Sequence, residues 1–245
     1  MELTIGRNVD EMGALAADLT AEKLCNAVAE RGLARLILST GESQFAVIKH
    51  LLGKNIPWSK VTMFHLDEYV GMSETHPASF RKYLKERIVD LVHPGKMVYV
   101  SGEGDIRNNI DYLTEEIRET PIDLALVGIG ENAHIAFNDP PADFDTQEAY
   151  ITVNLDEACK KQQVGEGWFT QISEVPNQAI SMTVYQIMSS KTIISCVPGS
   201  RKAAAIRDTL GSPSTTNLIP ATKLREHKDW HLFLDQESAK FVSSL

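Results

Sequence analysis

Cysteine is scarce in this chain. Cys25, Cys159 and Cys196 are far apart, odd in number and form no CxxC pair. A disulfide scaffold is therefore excluded, and a reducing cytoplasmic setting is expected. Positive charge is also short: 24 Lys and Arg face 33 Asp and Glu, a formal net charge of −9. A broad nucleic-acid surface needs a basic face, so it is not expected, and any bound phosphate must be held by a few local groups. No apolar run approaches the roughly 18 residues that a membrane helix requires. Met1 to Asp10 lacks the charged-then-apolar order of a signal peptide. There is no Pro/Gly/Ser-rich linker, no low-complexity tract and no internal repeat, so 245 residues are read as one domain, residues 1–245.

Short apolar segments alternate with amphipathic ones. Leu33–Ser39, Val61–Leu66, Met97–Val100, Ile122–Gly128, Thr192–Val197 and Trp230–Leu234 read as buried strands. Asp10–Arg31, stopped by Gly32, and Ser43–Leu52, His76–Val92, Asn108–Glu119 and Arg201–Leu210 read as helices. This alternation predicts an α/β fold: a single-domain, Rossmann-like, mostly parallel sheet with helices on both faces. Ligands of such sheets bind beyond the carboxyl ends of the strands. The segments there are Thr40-Gly41-Glu42-Ser43, Asp67-Glu68-Tyr69, Gly128 to Asp139, and Gly199-Ser200-Arg201-Lys202.

Each segment offers a different chemistry. Asp67 and Glu68 are adjacent carboxylates, which in extended chain point opposite ways. The alternative is a solvated loop. Gly128-Ile129-Gly130-Glu131-Asn132-Ala133-His134 is formally GxGxxA, but Pro140 and Pro141 follow too soon for the long helix of a dinucleotide site. Its glycines instead suggest close backbone approach to a ligand. Asn132, His134 and Asp139 then form a polar set around one group that titrates near neutral pH. Ser43 and Ser200 are expected as N-caps of the helices that follow them. Thr40, Gly41 and Ser43 would then present a helix N-terminus to an anion. Arg201 and Lys202, unfavourable in a first helical turn, would be relieved by a bound anion. The alternatives are an ordinary strand-to-helix turn and solvated surface cations. There is no GxxxxGK[ST], no GxSxG and no HExxH, and the remaining histidines form no metal pattern.

At these residues the chain resembles a known family. Phe64-His65-Leu66-Asp67-Glu68-Tyr69-Val70-Gly71, followed by His76-Pro77-Ala78-Ser79-Phe80, is similar to the F-x-x-DEYVG…HPxS[YF] run of glucosamine-6-phosphate deaminases. Gly128 to Pro140 is similar to their GIGxDGHIAFNEP run, Thr40–Ser43 to their TGGT or TGST, and Gly199–Ala203 to their GxxKA. The superfamily also holds 6-phosphogluconolactonases, which tend to have DER and HxAS where this chain has Asp67-Glu68-Tyr69 and His134-Ile135-Ala136-Phe137-Asn138. Against that, Ala179-Ile180-Ser181-Met182-Thr183 resembles a lactonase segment.

The resemblance implies conversion of an amino-sugar 6-phosphate, of the gluco or an epimeric series, to the keto-sugar phosphate and ammonia, with no metal or redox cofactor. It implies Asp67 as the base between C2 and C1 and His134 as the ring-opening proton relay, oriented by Asn132 and Asp139, with Glu68 in support. Thr40, Gly41, Ser43, Gly130, Ala133, Arg201 and Lys202 are implied as substrate- or phosphate-binding. A lid is expected at about 140–176. The expected partners are a phosphorylated sugar and further copies of the chain, with no nucleic acid and no membrane. A lactonase-like hydrolase and a non-catalytic sugar-phosphate-binding regulator are the alternatives.

The departures are at functional positions. The family's loop Asp, Gly and Glu are Asn132, Ala133 and Asp139 here. An amide beside His134 is expected to lower its affinity for a proton. The family's phosphate arginine has no counterpart; Gly167, Lys160 or Lys161 stands in its region. The basic residues of the family's allosteric site are missing between Ala142 and Leu155, which predicts simple kinetics.

Overall fold

A computed structural model describes residues 1–242. Its elements begin with an edge strand β1 (Glu2–Gly6), whose side chains are exposed or half-buried and which the apolar reading passes over. Helix α1 (Val9–Arg31) follows, capped by the Asn8 side chain on the Glu11 N–H. It stops at Gly32, whose φ of 79° closes the last turn onto the Val28 carbonyl. Next come β2 (Ala34–Leu38), α2 (Phe45–Leu51), β3 (Val61–His65) and β4 (Asp67–Tyr69). The expected helix His76–Val92 is shorter. It starts at α3 (Phe80–Leu84), capped by Ser79, passes through a π turn at Lys85–Val89 and ends in α4 (Asp90–Val92). Strand β5 (Lys96–Val98), helix α5 (Ile106–Arg118) and strand β6 (Leu124–Leu126) complete the first half. The second half holds β7 (Tyr150–Asn154), α6 (Glu157–Gly165), β8 (Gln178–Met182), α7 (Val184–Met188), β9 (Thr192–Val197), α8 (Ala203–Gly211) and β10 (Trp230–Asp235).

Seven strands form a parallel sheet in the order β1-β10-β9-β6-β2-β3-β5. Alternate strand residues feed two separate cores, as the two-residue period demands. Leu36, Leu38, Met63, Leu124, Leu126 and Ile194 pack with α1 and α2 on one face. Ile37, Phe64, Ala125, Val127, Ile193 and Val197 pack with α5, α7 and α8 on the other. Helices thus cover both faces, as the near-continuous apolar strands predict.

The order of the strands fixes where a ligand can sit. From β2 the chain winds outward through β3 to β5. It then returns to the other side of β2 at β6 and winds the opposite way through β9 and β10. The carboxyl ends of the adjacent strands β2 and β6 therefore diverge, which opens a crevice at the switch point.

A second sheet, antiparallel and in the order β4-β8-β7, stands beyond the end of β3. The sequence reading has no counterpart for it. β4 is three residues long with two carboxylates, and β7 alternates between buried and exposed positions. Tyr69, Phe80, Phe137 and Phe169 pack under it. The segment expected as a lid at 140–176 is divided: β7 belongs to this sheet, with Tyr150 fully buried, and α6 with the turn after it lies over the crevice.

Candidate active site

The crevice is a cleft of about 380 Å³ bounded by four loop segments at strand ends and by α6. Two of those loops share one design. After β2, Gly41 takes φ 93° and ψ 170° and leads into a 3-10 turn, Glu42–Gln44, before α2. After β9, Gly199 takes φ 90° and ψ 153° and leads into a 3-10 turn, Ser200–Lys202, before α8. Such positive φ values favour glycine at both places. The expected Ser43 and Ser200 caps are therefore not formed, because α2 begins at Phe45 and α8 at Ala203 without a side-chain cap. The Ser43 hydroxyl instead accepts a hydrogen bond from the buried Gln44 amide, 2.9 Å. Thr40, Gly41, Ser43, Arg201 and Lys202 all line the cleft. Burial lowers the proton affinity of Lys202, partly offset by Glu166 and Glu131. Arg201 lies 3.5 Å from Glu131 and is more than half exposed.

Asp67 stands where the chain leaves the main sheet for the small one. It opens β4, two residues after β3 ends at His65. Its residue is 8% exposed and lines the cleft. Burial, with the neighbouring Glu68 charge, pushes its carboxyl up to about 8. Glu68 points the other way, as adjacent residues of a strand must. It is fully buried and does not line the cleft. Its carboxyl accepts from the Ser79 hydroxyl at 2.6 Å, from the Tyr69 and Arg81 backbone N–H groups at 3.0 and 3.1 Å, and from the Arg81 guanidinium at 3.4 Å. Glu68 thus ties α3 to β4 from outside the cleft.

His134, in the loop after β6, lines the same cleft as Asp67. Its Nδ1 lies 2.6 Å from Asn132 Oδ1 and 3.1 Å from Asp139 Oδ1. Both are oxygens that accept, so the Nδ1 proton is held there and Nε2 is left for a ligand. Asn132 Nδ2 in turn donates to Asp139 Oδ1 at 2.9 Å. Burial opposes ionisation of Asp139, yet His134, Asn132 and the Cys159 thiol together hold its carboxyl below the usual range. Asn132 and Asp139 do not line the cleft themselves; they orient the residue that does.

The glycine of this loop has a further use. A Cβ on Gly130 would lie 2.2 Å from His134 Cε1 and 2.3 Å from its Nε2. Gly130 therefore leaves room for the imidazole against its backbone, and it also lines the cleft. Ala133 is buried, does not line the cleft and takes φ 64°, which shapes the turn.

Sequence reasoning missed the residues of α6 and its turn. Gln162, Gln163, Glu166 and Trp168 line the cleft. Tyr69 Oη donates to Gln163 Oε1 at 2.7 Å, which fastens the helix to β4. Lys160 and Lys161 instead pair with Asn177 and Glu157 at the surface, and Gly167 carries no side chain into the site. Neither lysine takes the place of the absent arginine. Among the described residues no three His, Cys, Asp or Glu side chains cluster as a metal would require.

Residues 7–233 match the model of the glucosamine-6-phosphate isomerases/6-phosphogluconolactonase family. The chain belongs to this family. A glucosamine-6-phosphate deaminase of Exiguobacterium sibiricum is 36% identical over 84% of this chain and 80% of its own length. One from Lactobacillus delbrueckii subsp. bulgaricus is 32% identical over 99% of this chain and all of its own. Among solved structures, a monomeric glucosamine-6-phosphate deaminase superposes with a TM-score of 0.90, at 27% identity over 98% of this chain and 99% of its own. A 6-phosphogluconolactonase of Shewanella baltica superposes with a TM-score of 0.80 at 19% identity over 96% and 97% of the two chains, a likeness of fold. Within the family, the segment that resembles lactonases is structural here. Ser181 is fully buried, its hydroxyl accepts from the Phe137 N–H at 3.0 Å, and Thr183 caps α7.

Proposed function

We propose that this protein converts glucosamine 6-phosphate to the keto-sugar 6-phosphate and ammonia. One observation carries the reading. A carboxylate tuned towards neutral pH, Asp67, and an imidazole with a free Nε2, His134, line the same cleft between two glycine-turned loops built for an anion. The relatives named as glucosamine-6-phosphate deaminases support the choice of sugar.

In this reading His134 Nε2 exchanges a proton with the ring oxygen and opens the pyranose, while Asn132 and Asp139 hold Nδ1. Asp67 takes the proton from C2 of the open chain and returns it to C1. Its raised proton affinity suits that work, because a general base is most effective when it titrates near the working pH. The C2 nitrogen gives up a proton as O1 takes one, which leaves an imine at C2; water adds to that carbon and the nitrogen leaves as ammonia, giving the keto group. The N–H groups of Gly41–Ser43 and of Ser200 and Arg201, with the Lys202 ammonium, hold the phosphate, while those of Gly199 and Lys202 are taken by Asp235 and the Gly199 carbonyl. Helix α6 and Trp168 cover the cleft and exclude bulk water.

The test is ammonia release from glucosamine 6-phosphate and galactosamine 6-phosphate, beside hydrolysis of 6-phosphogluconolactone. Ammonia from either amino sugar supports the reading. Lactone hydrolysis without ammonia would replace it with the hydrolase.

A further inference from the structure

We infer that Ser39 is a further substrate-binding residue, contacting a hydroxyl of the sugar's carbon chain; this rests on the sugar-phosphate reading of the cleft.

Five buried side-chain polar atoms among the described residues have no hydrogen-bond partner: Ser39 Oγ, Gln44 Oε1, His65 Nδ1, Ser190 Oγ and Thr209 Oγ1. Only Ser39 belongs to a residue that lines the cleft. The other four are in residues that do not line it. Ser39 is 5% exposed, so its hydroxyl is taken out of water without a protein group to replace it. Leaving such a group unpaired opposes folding, and the cost is relieved when a ligand supplies the bond.

The position of Ser39 in the fold selects the part of the ligand. It follows β2 directly, at the switch point. The Leu38–His65 pair of β2 and β3 places it one residue further on, beside Leu66 and a residue short of Asp67. The two positive-φ turns come later in their loops, at Gly41 and Gly199. Ser39 therefore lies deeper than the anion-holding turns, at the level of the carboxyl assigned to proton transfer. A lone neutral hydroxyl does not compensate a dianion, but it can both donate to and accept from a neutral hydroxyl.

Ser39→Ala tests this with two ligands. One is the reduced substrate, 2-amino-2-deoxyglucitol 6-phosphate, which has the open chain but no carbonyl to react. The other is inorganic phosphate. Binding of each is read by calorimetry, and the thermal midpoint of the free protein is read alongside. The variant should bind the reduced substrate about 3- to 10-fold more weakly, bind phosphate as the wild type does, and keep or raise the midpoint. With a turning-over substrate it should raise KM and leave kcat nearly unchanged, as loss of uniform binding does. Equal weakening of both ligands would move Ser39 to the phosphate site and overturn the proposal. A lowered midpoint with unchanged binding would make the hydroxyl structural and overturn it as well. Wild-type protein that binds the reduced substrate yet releases no ammonia sinks the deaminase reading and leaves this one standing. Failure of the wild type to bind any phosphosugar overturns both.

Discussion

Asp67→Asn should stabilise the protein while removing its turnover, and the stabilisation should depend on pH in a defined way. Burial and the Glu68 charge raise the carboxyl from 3.8 to about 8 in the folded state. A group whose folded proton affinity is raised contributes stability that is complete below the unfolded value and is lost as pH rises through the folded one. The window is thus about pH 4 to 8. Each unit is worth 1.36 kcal/mol, so the full interval comes to ~6 kcal/mol at most, less whatever cleft water returns to the ionised carboxylate. Asparagine mimics the neutral acid and does not titrate. Urea unfolding at intervals from pH 4 to 8.5 should show the two proteins equally stable near pH 4. The variant should then pull ahead by several kcal/mol at pH 8, a large fraction of a typical domain stability of ~5–15 kcal/mol. In the same preparation turnover should fall by about 10²–10⁴. For the wild type, kcat/KM should rise with pH through about 8, because the base must be ionised to act. Parallel stability curves, with a gap under ~1 kcal/mol throughout, would show a hydrated carboxylate and refute the burial argument. A variant that keeps most of its turnover would refute the assignment of the base.

Three further outcomes are expected. Lys202→Ala should weaken glucosamine 6-phosphate by ~1.5–3 kcal/mol and leave unphosphorylated glucosamine nearly unaffected; equal losses in titration calorimetry would remove Lys202 from the phosphate site. Asn132→Asp replaces a donor 2.9 Å from Asp139 with a second carboxylate, a repulsion that protonating His134 relieves. The histidine-dependent limb of the pH–rate profile should therefore move to higher pH, and a limb that stays in place or moves down would contradict the relay. Ala133→Gly relieves a φ of 64° and should raise stability by about 1 kcal/mol; an unchanged or lower urea midpoint would show that the turn carries no such strain.

The amino-acid sequence by itself determined what is local. The apolar strands, the stop at Gly32 and the positions of the four polar segments follow from periodicity and turn chemistry within a few residues. The pairing of Asp67 with the cleft and Glu68 with the interior follows from the alternation of a strand. The polar set of Asn132, His134 and Asp139 was legible because it lies within eight residues of chain.

Tertiary structure decided the rest. Strand order is a property of distant segments, so the switch point between β2 and β6 could not be read from either one. The small antiparallel sheet was illegible because its strands pair across more than a hundred residues, Asp67 with Ser181, and because one of them is only three residues long. The role of Gly130 emerged only when the His134 ring was seen lying on it. Gln162, Gln163, Glu166 and Trp168 carry no motif, and only the packing of α6 over the crevice brings them to the cleft. Ser39 looked like the last residue of an ordinary strand. Its unpaired hydroxyl is visible only once every neighbour is in place, since satisfaction of a buried polar group is decided by groups far away in sequence.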